Sequence, residues 1–254
     1  MQPRNRLVVA VDVSTRDEIL RLVDQLRGSV GVFKIGLQAF IANGPSIVRE
    51  IVSSGERVFL DLKIHDIPNT AKHAVAEAAE LGAFIATVHA AGGESMLRAC
   101  AEAAVPRRSS EFLGSSADVT TPRNSEELRG TEELLVLAVT VLTSLDDAEL
   151  ARIGFTGSPM ENAVRLAKLA KDSGLRGVVA SPLEIRAIRE ACGDDFVILT
   201  PGIRPAGSDA GDQRRMMTPR EAIAAGADYI VVGRPITSAA DARSAAQRIV
   251  EEMS

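Results

Sequence analysis

Short apolar runs rich in β-branched residues alternate with longer segments of helical periodicity along the chain. Runs that are apolar on both faces are typical of strands in a parallel sheet that is covered by helices. The pattern predicts strands at 7–13, 32–38, 58–64, 84–90, 134–143, 177–181, 196–203 and 229–236. It predicts amphipathic helices between them at 15–28, 39–54, 68–82, 161–173, 183–192, 218–226 and 238–252.

About eight strand–helix units close a (β/α)8 barrel, so we expect a single domain of this fold over residues 1–254. An open doubly wound sheet is the competing architecture, but it normally carries a Gly-rich turn after its first strand. Here the first strand runs into Asp12, and no GxGxxG motif follows. One stretch, 106–131, breaks the rhythm with Ser, Thr, Pro, Gly and mixed charge, which predicts a long surface excursion within the domain.

Composition and charge narrow the class of protein. The chain is 46% hydrophobic and 25% charged, which indicates an ordinary globular core. A net charge of −5 gives no electrostatic reason to expect nucleic acid or an anionic membrane as a partner. Cys100 and Cys192 fit neither a disulfide framework nor a zinc site, so we expect reduced thiols and a cytoplasmic protein. No apolar run approaches the length of a membrane span or a signal sequence.

Charged and hydroxyl residues collect where the predicted strands end, which is where a (β/α)8 barrel carries its active site. They are Asp12, Lys34, Asp61, Lys63, Thr143, Ser144, Arg204 and Arg234. Asp61 and Lys63 are two positions apart, so their side chains are expected on the same face of one strand, with Lys34 on the neighbouring strand. Alternating charges can exist in a desolvated site because each charge has a neighbour of opposite sign. A salt bridge that only joined two strands is the alternative, but such a pair would add little stability.

Asp66 does not follow this period of two. It lies beyond the strand and before Pro68, so we expect it to point elsewhere, toward another subunit. His65 beside it raises the question of a metal site. We expect no metal, because Lys34 and Lys63 would place two cations next to the ion.

The last two strands are followed by glycine and arginine, in the segments TPGIRP and VVGRPIT. Backbone N–H groups and guanidinium groups in late barrel loops are typical of phosphate sites, which predicts such a site at Arg204, Gly233 and Arg234. The polar loop 205–217 between them is expected to close over the phosphate, with Gln213 as a neutral donor.

These motifs, together with VAVDV, VFKIG, FLDLKIHDIPNT, VTVLTS, GVVAS and GDQRRMMTP in the same order, resemble the orotidine 5'-phosphate decarboxylase family, and its bacterial branch most closely. The Asp61-x-Lys63-x-x-Asp66 element alone is shared with related phosphate-binding barrels. The extended DLKIHDIPNT together with TPGIRP is far more specific. The 106–131 stretch departs from the pattern, since it is longer than the family usually carries.

The resemblance implies decarboxylation of orotidine 5'-monophosphate to uridine 5'-monophosphate, the last step of de novo pyrimidine synthesis, without metal or organic cofactor. It implies that Lys63 donates the proton to C6 of the pyrimidine and that Asp61 lies against the departing carboxylate. Lys34 and Asp12 would contact the ribose side and complete the charge array.

The resemblance also implies a homodimer, in which Asp66 acts in the partner's site together with Ile67 and Thr70. Thr143 would contact the pyrimidine. The phosphate region would be held by Arg204, Gln213, Gly233 and Arg234.

Two alternatives remain at this point. A metal-dependent sugar-phosphate decarboxylase or aldolase of the same barrel group is the nearer one, but those enzymes carry an acidic metal ligand where this chain has Lys34. A non-catalytic phosphate or nucleotide sensor is the other, and it would have no need to keep Asp61, Lys63 and Asp66 together.

Overall fold

A closed barrel of eight parallel strands forms the centre of the computed structural model, which describes residues 1–104, 133–205 and 216–253. The strands neighbour each other in chain order, and β1 pairs with β8 to close the barrel. They are β1 Leu7–Ala10, β2 Val32–Gly36, β3 Val58–Ile64, β4 Ile85–His89, β5 Leu135–Val139, β6 Gly177–Val179, β7 Val197–Thr200 and β8 Tyr229–Val232. The predicted barrel is therefore confirmed, while the 106–131 excursion, Gln213 and most of the 205–217 loop lie outside the described residues.

Helices follow the strands around the outside of the barrel. Within the described ranges they are α1 Pro3–Arg6, α2 Arg16–Leu26, α3 Leu37–Asn43, α4 Pro45–Ser53, α5 Pro68–Glu80, α6 Glu94–Ala103, α7 Asp147–Arg152, α8 Pro159–Asp172, α9 Ile185–Cys192, α10 Pro219–Ala225, α11 Arg234–Thr237 and α12 Ala242–Glu252. Several begin with a side-chain cap, as where the Ser158 hydroxyl accepts from the Glu161 N–H at the start of α8.

Two predicted elements are wrong in detail. The segment 39–54 is not one helix, because Gly44 adopts φ 67° and separates α3 from α4. The predicted strand 229–236 ends at Val232, and Arg234 begins the short helix α11. The predicted strand 58–64 matches β3, whereas β1, β2, β4, β5, β6 and β7 end earlier than predicted, so that Asp12 and Thr143 lie in the loops beyond β1 and β5.

The strands are buried on both faces, which explains their unbroken apolar character. In β1, Leu7 and Val9 belong to the large core between the barrel and the helices, whereas Val8 and Ala10 belong to a smaller cluster that fills the barrel. Phe59 in β3 and Tyr229 in β8 are the aromatic members of the inner cluster, and Phe59 is 1% exposed. Each such side chain contributes roughly 1.5–3 kcal/mol on burial.

In the part of the chain that the structure describes, no helix combines the length and the apolar character needed to cross a membrane.

Candidate active site

Four alternating charges form a continuous array at the C-terminal ends of β1, β2 and β3. The Lys34 ammonium lies 3.0 Å from Asp12 Oδ1 and 3.8 Å from Asp61 Oδ2. The Lys63 ammonium lies 2.8 Å from the same Asp61 oxygen. The Lys34 and Asp61 side chains are each 12% exposed, Lys63 is 30% exposed and Asp12 is 55% exposed. Asp61 is thus a buried carboxylate shared by two lysines, as the sequence predicted.

The route by which Lys63 reaches Asp61 differs from the regular strand that was predicted. Leu60 pairs with Ala86, and Ile64 pairs with Val88. Three residues of β3 therefore lie opposite a single residue of β4. Lys63 adopts φ 53°, the only positive value among the described residues other than glycine. A left-handed non-glycine residue costs about 1–3 kcal/mol and persists where its surroundings hold it. The two side chains line the same cavity, as predicted, but Lys63 reaches it from a left-handed backbone and not by regular alternation along the strand.

Thr87 in β4 occupies the gap that this irregularity leaves. Its hydroxyl accepts a hydrogen bond from the Lys63 backbone N–H at 3.0 Å. The same hydroxyl donates to Asp61 Oδ1 at 2.9 Å. The sequence interpretation did not select Thr87, although a hydroxyl within the apolar strand IATVH was a visible signal.

A cavity of about 220 Å³ lies against the charged array. Lys34, Asp61 and Lys63 line one side of it. The remaining lining is largely apolar and includes Phe59, Val139, Val179, Leu199 and Val231, with Thr143 also at the wall. A site with charge on one side and apolar surface on the other can hold a flat, partly polar ring and exclude water from it.

The arginines expected at a phosphate site lie near the same end of the barrel. Arg204 follows β7, where the chain pairs Ile203 with Met217 and the Arg204 N–H donates to the Met217 carbonyl at 3.0 Å. Burial, with Arg234 nearby, lowers the pKa of the Arg204 guanidinium from its ordinary value. Two cations that repel each other in this way favour an anion between or beside them. Gly233 directly precedes Arg234 at the start of α11, and Gln213 lies outside the described residues.

Asp66, Ile67 and Thr70 are exposed and do not belong to the lining of the cavity in their own chain. Asp66 Oδ1 accepts a hydrogen bond from the Ile67 N–H at 2.7 Å, and the Ile67 side chain is 67% exposed. The structure thus brings together Asp12, Lys34, Asp61, Lys63 and Thr143 but leaves this segment outside the site.

His65 and His89 form a ring pair beside the array that the sequence interpretation also missed. Their ring centroids are 5.4 Å apart. Burial, with His65 and Lys63 nearby, lowers the pKa of His89, and the Asp61 carboxylate opposes this shift. The lowered pKa favours the neutral form of His89.

Known proteins resemble the chain over nearly its full length. A curated protein of Heliobacterium modesticaldum named orotidine 5'-phosphate decarboxylase is 48% identical, over 100% of this chain and 97% of its own. A protein of the same name from Moorella thermoacetica is 48% identical, over 100% of this chain and 94% of its own.

Solved structures agree with the sequence relatives. The crystal structure of orotidine 5'-phosphate decarboxylase from Lactobacillus acidophilus matches with a TM-score of 0.78 and 33% identity, over 97% of this chain and 98% of that chain. An uncharacterized conserved protein from Geobacillus kaustophilus matches with a TM-score of 0.75 and 35% identity, over 98% and 100%. The sequence profile of one family matches residues 5–249, and the chain belongs to that family, the orotidine 5'-phosphate decarboxylase / HUMPS family.

Proposed function

We propose that this chain decarboxylates orotidine 5'-monophosphate to uridine 5'-monophosphate and CO2, the last step of de novo pyrimidine synthesis, in the cytoplasm. The observation that carries the proposal is the Asp12–Lys34–Asp61–Lys63 array at the edge of a largely apolar cavity. Four curated relatives of 46–48% identity bear the name of this activity.

The array supplies what the reaction needs at its reacting carbon. The bond between C6 and the carboxylate breaks, CO2 leaves, and the electron pair stays on C6, where no ring carbonyl can readily absorb it. A preorganised cation in a site that excludes water stabilises that charge. Lys63 is this cation, and it then transfers a proton from Nζ to C6 and is reprotonated from solvent. No metal or organic cofactor enters these steps.

Asp61 acts on the group that leaves. The substrate carboxylate binds near the Asp61 carboxylate, and their repulsion is relieved as CO2 departs. Thr87 and Lys63 already hold Asp61 in place, so the carboxylate cannot simply turn away. Lys34 and Asp12 bind the ribose hydroxyls, and Thr143 contacts the pyrimidine from the cavity wall.

The phosphate of the substrate binds to Arg204, Gln213, Gly233 and Arg234. The support is the closeness of Arg204 and Arg234, together with the backbone N–H groups near Gly233. Binding energy from a phosphate remote from C6 is available to align the base with Lys63. The phosphate is therefore part of the catalytic design.

A homodimer completes each site, with Asp66, Ile67 and Thr70 reaching into the partner's cavity. The support is that these three side chains are exposed and are absent from the lining of their own cavity. Mixing inactive Lys63→Ala and Asp66→Ala proteins should then restore part of the activity through hybrid dimers. No recovery, after subunit exchange has been demonstrated separately, would mean that one chain builds the whole site.

The direct test of the activity is the absorbance change when the purified protein is added to orotidine 5'-monophosphate after exhaustive chelation. Turnover should persist, because the position where a metal-dependent relative would carry an acidic metal ligand is Lys34, whose ammonium lies between Asp12 and Asp61. Activity that appears only with added Mg²⁺ would overturn the proposal and favour the metal-dependent alternative.

A pair of variants tests the proton donor. Lys63→Ala should lose decarboxylation while calorimetry still detects binding of uridine 5'-monophosphate. Lys72→Ala is the matched control, since Lys72 is a partly exposed lysine in α5 that lies outside the cavity lining and pairs with Glu102 at 2.9 Å. Normal turnover by Lys63→Ala would refute the role of Lys63 as donor.

A further inference from the structure

Thr87 connects the two residues proposed for the chemistry. It lies in β4 with 0% exposure, and its hydroxyl is within hydrogen-bond distance of both Asp61 Oδ1 and the Lys63 backbone nitrogen. Within the described residues it is the side chain that bridges the irregular stretch of β3 to β4. Nothing in the proposed reaction requires Thr87 to touch the substrate, and it is not part of the cavity lining.

The direction of both hydrogen bonds follows from the groups involved. A backbone N–H can only donate, so the Thr87 oxygen accepts from Lys63. The single hydroxyl proton is then free to donate to Asp61, whose ionised carboxylate can only accept. The arrangement thus fixes Asp61 Oδ1 and leaves Oδ2 facing the ammonium groups of Lys63 and Lys34, at 2.8 Å and 3.8 Å.

We infer that Thr87 is a positioning residue, which holds the Asp61 carboxylate and the left-handed backbone of Lys63 in the geometry that decarboxylation requires. This inference rests on the proposed function. It assigns Thr87 no contact with substrate: the residue acts through Asp61 and Lys63. Without the hydroxyl, the Lys63 N–H loses its partner and Asp61 Oδ1 loses its donor, so that the carboxylate is held only through Oδ2 by the two lysines.

Two substitutions separate the hydroxyl from the shape of the side chain. Thr87→Val keeps the shape and removes the hydroxyl, whereas Thr87→Ser keeps the hydroxyl and removes the methyl group. Thr140→Val is the control, because Thr140 is also a buried threonine at a strand end but donates to a backbone carbonyl, that of Val179, at 3.1 Å. For each variant, kcat and KM with orotidine 5'-monophosphate, the affinity for uridine 5'-monophosphate and the unfolding midpoint are measured.

We expect Thr87→Val to lower kcat about 10- to 100-fold, the range for losing a hydrogen bond to a charged group. Its KM and its affinity for uridine 5'-monophosphate should stay within about threefold of wild type, since the cavity wall and the phosphate site are untouched. Thr87→Ser should recover kcat to within about threefold. Thr140→Val should lose stability without losing kcat.

Three results would overturn the inference: wild-type kcat in Thr87→Val, a Thr87→Ser variant as slow as Thr87→Val, or an equal loss of kcat in Thr140→Val. If Thr87→Val does not fold, Thr87→Cys retains the volume with a weaker donor, and wild-type kcat in that variant would refute the role equally. A wild-type protein that does not decarboxylate orotidine 5'-monophosphate would refute the proposed function and the inference together. An active wild type with an unimpaired Thr87→Val variant refutes only the inference.

Discussion

Asp12 and Asp61 both contact Lys34. Substituting each of them tests whether distance or burial determines how much an ion pair of the charge array stabilises the protein. Asp12 lies closer, at 3.0 Å, but its side chain is 55% exposed. Asp61 lies 3.8 Å from Lys34 but is 12% exposed, and it also holds Lys63 at 2.8 Å. Substituting each aspartate by asparagine removes the charge with little change of size. If the distance to Lys34 alone sets the strength, Asp12→Asn should lose more free energy of unfolding. If burial sets it, Asp61→Asn should lose more.

The expected free energies of unfolding follow from these distances. At an effective dielectric constant of about 20, the contact of Asp61 with Lys63 is worth roughly 6 kcal/mol and that with Lys34 roughly 4 kcal/mol before desolvation. Desolvation offsets much of this, and removing one member of a buried ion pair typically costs about 3–5 kcal/mol. Because Lys63 is 30% exposed, we expect the lower end for Asp61→Asn, about 3 kcal/mol. Asp12→Asn should cost less than about 1 kcal/mol, as exposed pairs do.

Urea unfolding followed by far-ultraviolet circular dichroism is the suitable assay, because the chain has no Trp and one Tyr. Both variants and the wild type are compared at pH 7 and low salt, and the slopes against urea concentration must agree for the midpoints to be compared. A loss for Asp12→Asn that equals or exceeds the loss for Asp61→Asn would refute the argument from burial. So would an Asp61→Asn variant as stable as the wild type.

Three further perturbations have defined outcomes. Burial lowers the pKa of His89 from its ordinary value of 6.5. As the pH falls below 6.5, the unfolded state therefore binds more protons than the folded state, and the free energy of unfolding decreases. His89→Gln should flatten this slope in urea midpoints measured from pH 7 to pH 5, and an unchanged slope would contradict the assignment. Arg189 donates to Asp228 Oδ2 at 2.8 Å and to the carbonyl of Phe196, the buried residue just before β7. Arg189→Met should therefore lower the free energy of unfolding in urea by about 2–3 kcal/mol, whereas Arg186→Met on the exposed side of α9 should lower it by less than about 0.5 kcal/mol. Burial raises the pKa of the Cys100 thiol to about 11, so Cys100 should resist iodoacetamide at pH 8 until urea unfolds the chain, and rapid alkylation of the native protein, read by mass spectrometry, would contradict its burial.

The order of strands and the barrel fold could be predicted from sequence because each strand is buried on both faces and reads as a separate apolar run. Most strand ends could not, although that of β3 was predicted correctly. In the sequence, an apolar run continues past the last barrel hydrogen bond into the loop, as in the stretch beyond Val139 in β5. The division of one expected helix at Gly44 was missed for a similar reason, since the residues on both sides keep helical periodicity.

The candidate site was predictable only in part. Lys34, Asp61 and Lys63 could be grouped because neighbouring parallel strands end at the same edge of the barrel, and the structure confirms that grouping. Thr87 could not be paired with Asp61, because the pairing depends on the register shift between β3 and β4. That shift is a property of how the two strands pair, and the regular alternation expected within β3 alone does not contain it.

The irregular backbone at Lys63 connects the stability of the array with its proposed chemistry. In a regular strand the Lys63 N–H would belong to the backbone ladder between strands, and nothing would tie that backbone to the Asp61 carboxylate. Here the Thr87 hydroxyl accepts from the Lys63 N–H and donates to the Asp61 carboxylate. A force on Asp61 is therefore transmitted through Thr87 to the backbone of Lys63. In the proposed reaction that force is the repulsion between Asp61 and the substrate carboxylate. Asp61 is joined through Thr87 to Lys63, which donates the proton. The same contacts that stabilise the free protein therefore keep the donor in position while the carboxylate leaves.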